Sequence, residues 1–135
     1  MFNEPDEHQD IRDAVRQLCR QFPDEYFRQV DEKKAYPEAF VDALIGAGWL
    51  AAMIPEEYGG TGLGLTAATV IMEEINRSGG NAGAVHGQMY NMGTLLRHGS
   101  PAQKQKYLPA IAAGKLRIQS MAVTFFFNDT ATTKI

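Results

Sequence analysis

Residues 48–65 read GWLAAMIPEEYGGTGLGL, and this stretch decides how the chain folds. An apolar helical run precedes it, and Gly46 and Gly48 can adopt the left-handed conformation that closes a helix. Trp49 then begins an apolar segment that we expect to be extended and to end at Pro55. The glycines that follow allow the backbone to reverse direction tightly before another helix begins. They are Gly59, Gly60, Gly62 and Gly64.

Three amphipathic helices are predicted before this stretch, each with apolar residues three or four positions apart. Pro23 separates the first two helices, and Pro37 occupies the first position of the third. In the second helix, Asp24 is expected to pair with Arg28. The apolar positions are Ile11, Val15, Leu18, Cys19 and Phe22, then Tyr26, Phe27 and Val30, then Phe40, Val41, Leu44 and Ile45. The residues of the first helix expected to face water are Arg12, Asp13, Arg16 and Gln17.

The fourth and fifth helices are predicted after the glycines. The fourth begins at Leu65 or Thr66, and Asn81 is suited to cap the fifth. The apolar face of the fourth helix consists of Ala67, Val70, Ile71 and Ile75. The apolar face of the fifth consists of Val85, Met89, Met92 and Leu96. Both sets have helical spacing, so both helices are expected to bury one face.

The sixth helix has the clearest start in the chain. Ser100 is followed by Pro101 at the first helical position and by Gln103 at capping-box spacing. Pro109 lacks an amide donor, so we expect it to kink or divide this helix. Beyond it, residues 116–124 alternate imperfectly in polarity and indicate a β-strand.

Composition narrows the class of protein. The 135 residues suggest one domain, and a formal charge of −3 argues against a nucleic-acid-binding module. A single cysteine excludes an internal disulfide, and no apolar run approaches membrane-spanning length. The acidic start, MFNEPDEHQD, lacks the features of a signal or transit peptide. We therefore expect a cytoplasmic protein.

Two groups of residues offer chemistry but have simpler explanations. Glycines 60, 62 and 64 could cradle a phosphate at a helix N-terminus, yet no Lys-Ser or Lys-Thr follows them, which favours a structural turn. Four glutamates supply carboxylates, but neighbouring side chains diverge, so a solvated surface is expected, and Glu73 and Glu74 can also reach Arg77. They are Glu56, Glu57, Glu73 and Glu74.

Metal and nucleophile sites are not predicted. His8, His86 and His98 lack the spacing of metal ligands. No histidine-and-acid pattern accompanies the nucleophilic side chains Cys19, Ser120 and Thr124. The start of the fifth helix is different, because its small residues allow a neighbouring helix or a ligand to approach closely. These are Gly79, Gly80, Ala82, Gly83 and Ala84.

Residues 48–65, together with residues 99–124 (GSPAQKQKYLPAIAAGKLRIQSMAVT), resemble the N-terminal helical domain of the acyl-CoA dehydrogenases, which desaturate acyl-CoA thioesters with FAD. The resemblance implies an all-α fold, a helical bundle with the start of a β-strand at its C-terminal end. It also implies that residues 1–116 form the N-terminal helical domain. Residues 117–124 would then begin the middle FAD-binding β-domain.

The resemblance implies two sets of site residues. The fifth helix lines the acyl pocket in this family, which would place five residues beside the fatty chain: Ala82, Gly83, His86, Gly87 and Tyr90. The family begins its flavin contacts at positions that match Met121, Val123 and Thr124. His86 and Tyr90 are larger and more polar than a simple fatty-acyl tunnel requires, so the chain length and class of substrate stay open.

The resemblance also implies a reaction. A glutamate removes the α-proton of the acyl-CoA while the β-hydrogen leaves as hydride to the flavin, and electron-transferring flavoprotein is the usual electron acceptor. In most family members that glutamate lies in a C-terminal domain beyond this chain. We therefore assign no catalytic residue here, and we expect the intact protein to be a homo-oligomer.

Residues 125–135, FFFNDTATTKI, depart from the family. Acyl-CoA dehydrogenases continue at this point with an acidic residue, a proline and a glycine-serine-aspartate turn that holds FAD. The run instead resembles the translation of adapter DNA joined to a truncated gene. The competing hypothesis is a free-standing helical protein-interaction domain without catalysis, although the strand-like residues 118–124 would then lack a partner strand.

Overall fold

The computed structural model describes residues 8–118, and within them the chain forms a bundle of six α-helices. The helices are α1 (Gln9–Cys19), α2 (Asp24–Glu32), α3 (Glu38–Gly46), α4 (Leu65–Arg77), α5 (Gly83–His98) and α6 (Pro101–Ala112). Two short 3-10 turns, Trp49–Ala51 and Glu56–Tyr58, lie between α3 and α4. The all-α prediction is thus confirmed.

The loop between α3 and α4 connects two hydrophobic clusters. The larger cluster joins side chains of α1, α3, α4 and α5, including Val15, Phe40, Ile71 and Val85. The smaller one joins the loop to α5 and α6. Met53 packs against both clusters, so the loop holds α6 to the rest of the bundle. The residues of the smaller cluster are Ala51, Ile54, Met92, Leu108 and Ile111.

The prediction of an extended segment after Trp49 is wrong. Gly48 has a φ of 81°, and the chain then coils into a 3-10 turn, in which the Ala51 amide donates to the Gly48 carbonyl at 3.1 Å. Buried backbone groups need partners, and residues 8–118 contain no strand that could supply them. Bonds between residues three apart supply those partners locally.

The glycines of the loop act as spacers. A Cβ on Gly60 would collide with the backbone and side chain of Ile54. The Gly62 amide donates to the Ile54 carbonyl at 2.8 Å, and the Leu63 amide donates to the Ala52 carbonyl at 2.7 Å. The loop therefore folds back on itself and delivers the chain to α4 at Leu65, as predicted.

Several helix boundaries and contacts differ from the predictions. α1 ends at Cys19, so Phe22 lies beyond it, where its ring contacts Tyr26 and Phe40 edge to face. No side chain of α2 is fully buried, because this short helix covers the bundle on one side only. Arg28 pairs with Glu25 at 2.9 Å rather than with Asp24, whose carboxylate lies beside Gly79.

The sixth helix confirms one prediction and corrects another. Its capping box is present: Ser100 Oγ accepts from the Gln103 amide at 3.2 Å, and Gln103 Oε1 accepts from the Ser100 amide at 2.8 Å. Pro109 does not divide the helix. It lies in the last turn, where the carbonyl of exposed Gln105 can bond to water instead. Described residues 116–118 form no strand, and residues 119–124 of the predicted strand lie outside the described part.

Candidate functional site

A cavity of about 650 Å³ lies between α4, α5 and the loop before α4. Met53 of the loop, Met72 of α4 and Met89 of α5 give it an apolar lining. Methionine side chains are flexible and polarisable, so such a lining adapts to apolar ligands of different shape. The lining residues are Met53, Leu65, Ala68, Met72, His86, Met89, Tyr90, Gly93, Thr94, Leu96, Arg97 and His98.

The α5 wall of the cavity carries most of its polar side chains. His86, Tyr90, Thr94, Arg97 and His98 recur at helical spacing along one side of this helix. The ring centroids of His86 and Tyr90 are 5.1 Å apart, with an interplanar angle of 51°. Tyr90 is 37% exposed. The cavity therefore combines methionines with hydrogen-bonding groups, as sites for amphiphilic ligands do.

The structure brings together two of the five residues expected beside an acyl chain. His86 and Tyr90 line the cavity. Ala82 and Gly87 are buried but do not line it, and Gly83 is exposed at the start of α5. The placement of all five beside an acyl chain stays a prediction. Met121, Val123 and Thr124, expected to contact flavin, lie outside the described residues.

Asn81 does not occupy the predicted N-cap position of α5, which belongs to Ala82. Asn81 Oδ1 nevertheless accepts a hydrogen bond at 2.8 Å from the amide of Gly83, the first residue of α5. One of the free amides at this end of the helix therefore has a side-chain partner.

The opposite wall of the cavity was not predicted. Met53 belongs to the loop, and Leu65, Ala68 and Met72 belong to α4. Leu65, at the first position of α4, is 70% exposed. Single exposed apolar side chains are common on protein surfaces, so no sequence signal indicated this wall.

The amides of Gly60 and Gly62 are not available to a phosphate. The amides of Gly60, Gly62 and Leu63 already donate to the carbonyls of Pro55, Ile54 and Ala52. A phosphate-binding loop needs free amides that point towards the ligand. The prediction of a structural turn is therefore supported.

Glu74 corrects the prediction that the four glutamates form a solvated surface. It is only 1% exposed and accepts a hydrogen bond from Arg16 Nε at 2.8 Å. Arg12 lies 3.7 Å from its other oxygen and 2.7 Å from Glu73. The sequence predicted that both arginines face water, but their side chains are only 17% and 34% exposed. It also predicted that Glu73 and Glu74 can reach Arg77. Their ion pairs are instead with Arg12 and Arg16, although the charge of Arg77 helps to lower the pKa of Glu74. The two helices meet along their polar edges because α1 packs on α4.

Charge and burial act in opposite directions on the pKa of Glu74. The hydrogen bond from Arg16 lowers the pKa of Glu74, and this outweighs the opposing effect of burial. The same bond raises the pKa of Arg16. Burial raises the pKa of the nearby Cys19 thiol, so this cysteine stays protonated and is a poor nucleophile. The cluster is a structural ion pair rather than an acid-base site.

Other site classes find no support within residues 8–118. This part of the chain contains no group of three or more metal-ligating side chains. Its helices are also too short or too polar to cross a membrane.

Comparisons with known proteins agree on one family. The family described as "Acyl-CoA dehydrogenase, N-terminal domain" matches residues 5–115. The chain is 37% identical over 115 residues to the probable acyl-CoA dehydrogenase FadE25 of Mycobacterium tuberculosis, covering 84% of this chain and 29% of that protein. It is 37% identical over 117 residues to the human mitochondrial short-chain specific acyl-CoA dehydrogenase, covering 82% of this chain and 27% of that protein.

A solved structure shows the same arrangement of helices. The glutaryl-coenzyme A dehydrogenase complex with glutaryl-CoA superposes with a TM-score of 0.72 at 28% identity, covering 87% of this chain and 31% of that one. The chain thus spans less than a third of the length of these relatives. Because the family match covers most of the chain, the chain belongs to the acyl-CoA dehydrogenase family and corresponds to its N-terminal helical domain.

Proposed function

We propose that this domain forms part of the acyl pocket of an FAD-dependent acyl-CoA dehydrogenase. One observation carries the proposal: two of the residues that the family resemblance places beside the acyl chain, His86 and Tyr90, line an apolar cavity of about 650 Å³. The substrates are acyl-CoA thioesters, and the reaction introduces a double bond between the α and β carbons. FAD supplies the hydride acceptor when it is bound.

The described residues contribute binding and not proton transfer. The methionines of the cavity would exclude water from an acyl chain, and His86 and Tyr90 would limit its path along α5. The catalytic glutamate and most of the flavin site belong to further domains of the full-length protein. Met121, Val123 and Thr124 would supply the first flavin contacts.

The remaining assignments follow the family. Electron-transferring flavoprotein would accept the electrons, the full-length protein would be a homo-oligomer, and it would act in the cytoplasm. The alternative of a free-standing interaction domain predicts instead that the domain works without flavin or acyl-CoA.

A direct test compares the 135-residue chain with the full-length protein. Proton removal needs a base within hydrogen-bond reach, and hydride transfer needs a flavin against the β-carbon. We therefore expect the short chain to hold no FAD, and the full-length protein to be yellow and to bleach with acyl-CoA. A short chain that holds stoichiometric flavin, or a full-length protein that holds none, would contradict the proposal.

The acyl pocket is tested by changing the cavity in the full-length protein. Tyr90→Ala removes the exposed ring from α5 and should raise kcat/KM for longer acyl-CoAs relative to shorter ones. Tyr107→Ala is the matched control, because Tyr107 belongs to α6 and packs against the smaller hydrophobic cluster, outside the cavity lining. An unchanged preference for chain length in Tyr90→Ala would remove this residue from the acyl pocket.

A further inference from the structure

The segment that follows α6 lies along α3 and is anchored there. Gly114 has a φ of 70°, and a Cβ at this position would collide with the side chain of Ile45 at the end of α3. The amides of Lys115 and Leu116 both donate to the Ala110 carbonyl, at 2.9 and 3.1 Å. These bonds end the helix and turn the chain back across α3.

Arg117 holds the next part of this segment. Its Nη2 lies 3.3 Å from Glu38 Oε1 and 3.7 Å from Asp42 Oδ1. The two carboxylates lie one turn apart on α3, so one guanidinium reaches both. Its Cζ is 5.6 Å from the centre of the Tyr36 ring. We call Arg117, Tyr36, Glu38 and Asp42 the exit clamp.

The segment of residues 114–118 runs in one direction along α3. Gly114 lies against Ile45 near the C-terminal end of this helix, and Arg117 lies against Glu38 and Asp42 towards its N-terminal end. On the other side of the segment, Leu116 and Ile118 pack against the smaller hydrophobic cluster. The path of residues 114–118 is thus held by the turn, by apolar packing and by the clamp.

The side chain of Arg117 is suited to holding residues 114–118 against α3. A planar guanidinium can bond two carboxylates and also lie over a ring, whereas a lysine ammonium is a single point of charge. The Arg117 side chain is 28% exposed, whereas those of Glu38 and Asp42 are 68% and 61% exposed, so the ion pairs lie near the surface. A hydrogen bond with Tyr36, followed by one with Glu38, raises the pKa of Arg117, in agreement with the geometry.

We propose that Arg117 is a positioning residue, which fixes the path of the chain as it leaves the helical domain and thereby strengthens flavin binding. This inference rests on the proposed function, because the flavin contacts are assigned to Met121, Val123 and Thr124. Arg117 itself touches neither substrate nor cofactor. It acts by holding the few residues that precede those contacts.

The test measures FAD affinity in the full-length protein by titration of the apoprotein. Arg117→Leu should raise the dissociation constant for FAD about tenfold, since it removes two ion pairs and a ring contact. Arg117→Lys should restore part of the affinity. Arg28→Leu is the matched control: it removes a surface ion pair with Glu25 on α2, far along the chain from the exit, and should leave the affinity unchanged.

A second variant keeps the test informative if Arg117→Leu folds poorly. Glu38→Gln combined with Asp42→Asn removes the carboxylates and leaves Arg117, and should weaken FAD binding to a similar extent. Salt screens exposed pairs, so the difference between wild type and Arg117→Leu should shrink at high ionic strength. A loss of FAD affinity that simply follows the loss of unfolding free energy in these variants would indicate a role in stability alone and would contradict the inference.

The outcomes separate the inference from the proposed function. A wild-type full-length protein without FAD contradicts the proposed function and, with it, the inference. If Arg117→Leu and the double carboxylate variant bind FAD as tightly as the wild type does, the inference alone is contradicted. Equal weakening in Arg28→Leu and Arg117→Leu also contradicts it, because the effect would then not depend on the exit clamp.

Discussion

The two sides of α4 differ in the chemistry of the surfaces that they face. Towards α1, Glu74 is buried and bonded to Arg16, and both residues border a cavity of about 620 Å³ that is lined largely by charged and polar side chains. Towards α5, Ala68 and Met72 border a more apolar cavity of about 650 Å³. The comparison indicates that the Glu74 ion pair holds α4 against α1, whereas the α5 side leaves an apolar space for a ligand.

Adjacent residues of α4 provide the strongest test of this comparison. Ile71 is fully buried in the larger cluster, and Met72 is half-buried at the cavity. Ile71→Ala should lower the free energy of unfolding by about 3 kcal/mol, because it leaves a void in packed surroundings. Met72→Ala should cost about 1 kcal/mol, since it enlarges an existing space. Urea denaturation of the 135-residue chain measures both, and equal losses would contradict the comparison.

The two glutamates of α4 provide the next test. Glu74→Gln weakens a buried, charge-assisted bond to Arg16 and should cost about 2 kcal/mol of unfolding free energy. Glu73→Gln removes an exposed pair with Arg12, whose distance is 2.7 Å, and should cost about 0.5 kcal/mol. If the Glu73 variant loses as much as the Glu74 variant, burial does not distinguish the two pairs.

Acid should selectively weaken the Glu74 ion pair, which lies on the side of α4 that faces α1. Because the pKa of Glu74 is lowered in the folded protein, the unfolded chain binds the proton more readily. The stability that Glu74 contributes is therefore present above the ordinary glutamate pKa of 4.5 and is lost as the pH falls through the lower pKa of the folded state. The stability gap between wild type and Glu74→Gln should narrow from pH 6 to pH 3. A constant gap across this range would show that the charge of Glu74 is not responsible.

The smallest effect on stability is expected at the edge of the cavity. Leu65 is 70% exposed, so Leu65→Gln should change the free energy of unfolding by less than about 0.5 kcal/mol. The same change should reduce the fluorescence of an apolar dye such as bis-ANS, because it removes apolar surface from the cavity. Unchanged dye binding would indicate that Leu65 does not contribute to an accessible apolar site.

The sequence predicted the helices well because their signals are local. Ser100 and Gln103 lie three residues apart, and that spacing alone establishes a capping box. Val85, Met89 and Met92 follow the period of one helix and are buried as expected. Local signals failed at Trp49, since a buried apolar run does not reveal whether a partner strand exists.

The candidate site was predicted only in part, for a similar reason. His86 and Tyr90 lie one turn apart on a single helix, so their proximity follows from the sequence. Met53 and Met72 join them only because the loop and α4 fold against α5. No spacing along the chain encodes that meeting.

Sequence alone determined where the six helices of the described residues lie and, for most of them, which apolar stripe is buried, because hydrogen bonds between residues three or four apart and apolar periodicity act within one element. The tertiary structure alone decided the state of Glu74 and the position of Arg117. Arg16 and Glu74 are 58 residues apart, and Arg117 and Glu38 are 79 apart. An exposed charge and a buried ion pair look the same in a sequence. The difference depends on which residues of another helix are packed against the charged side chain.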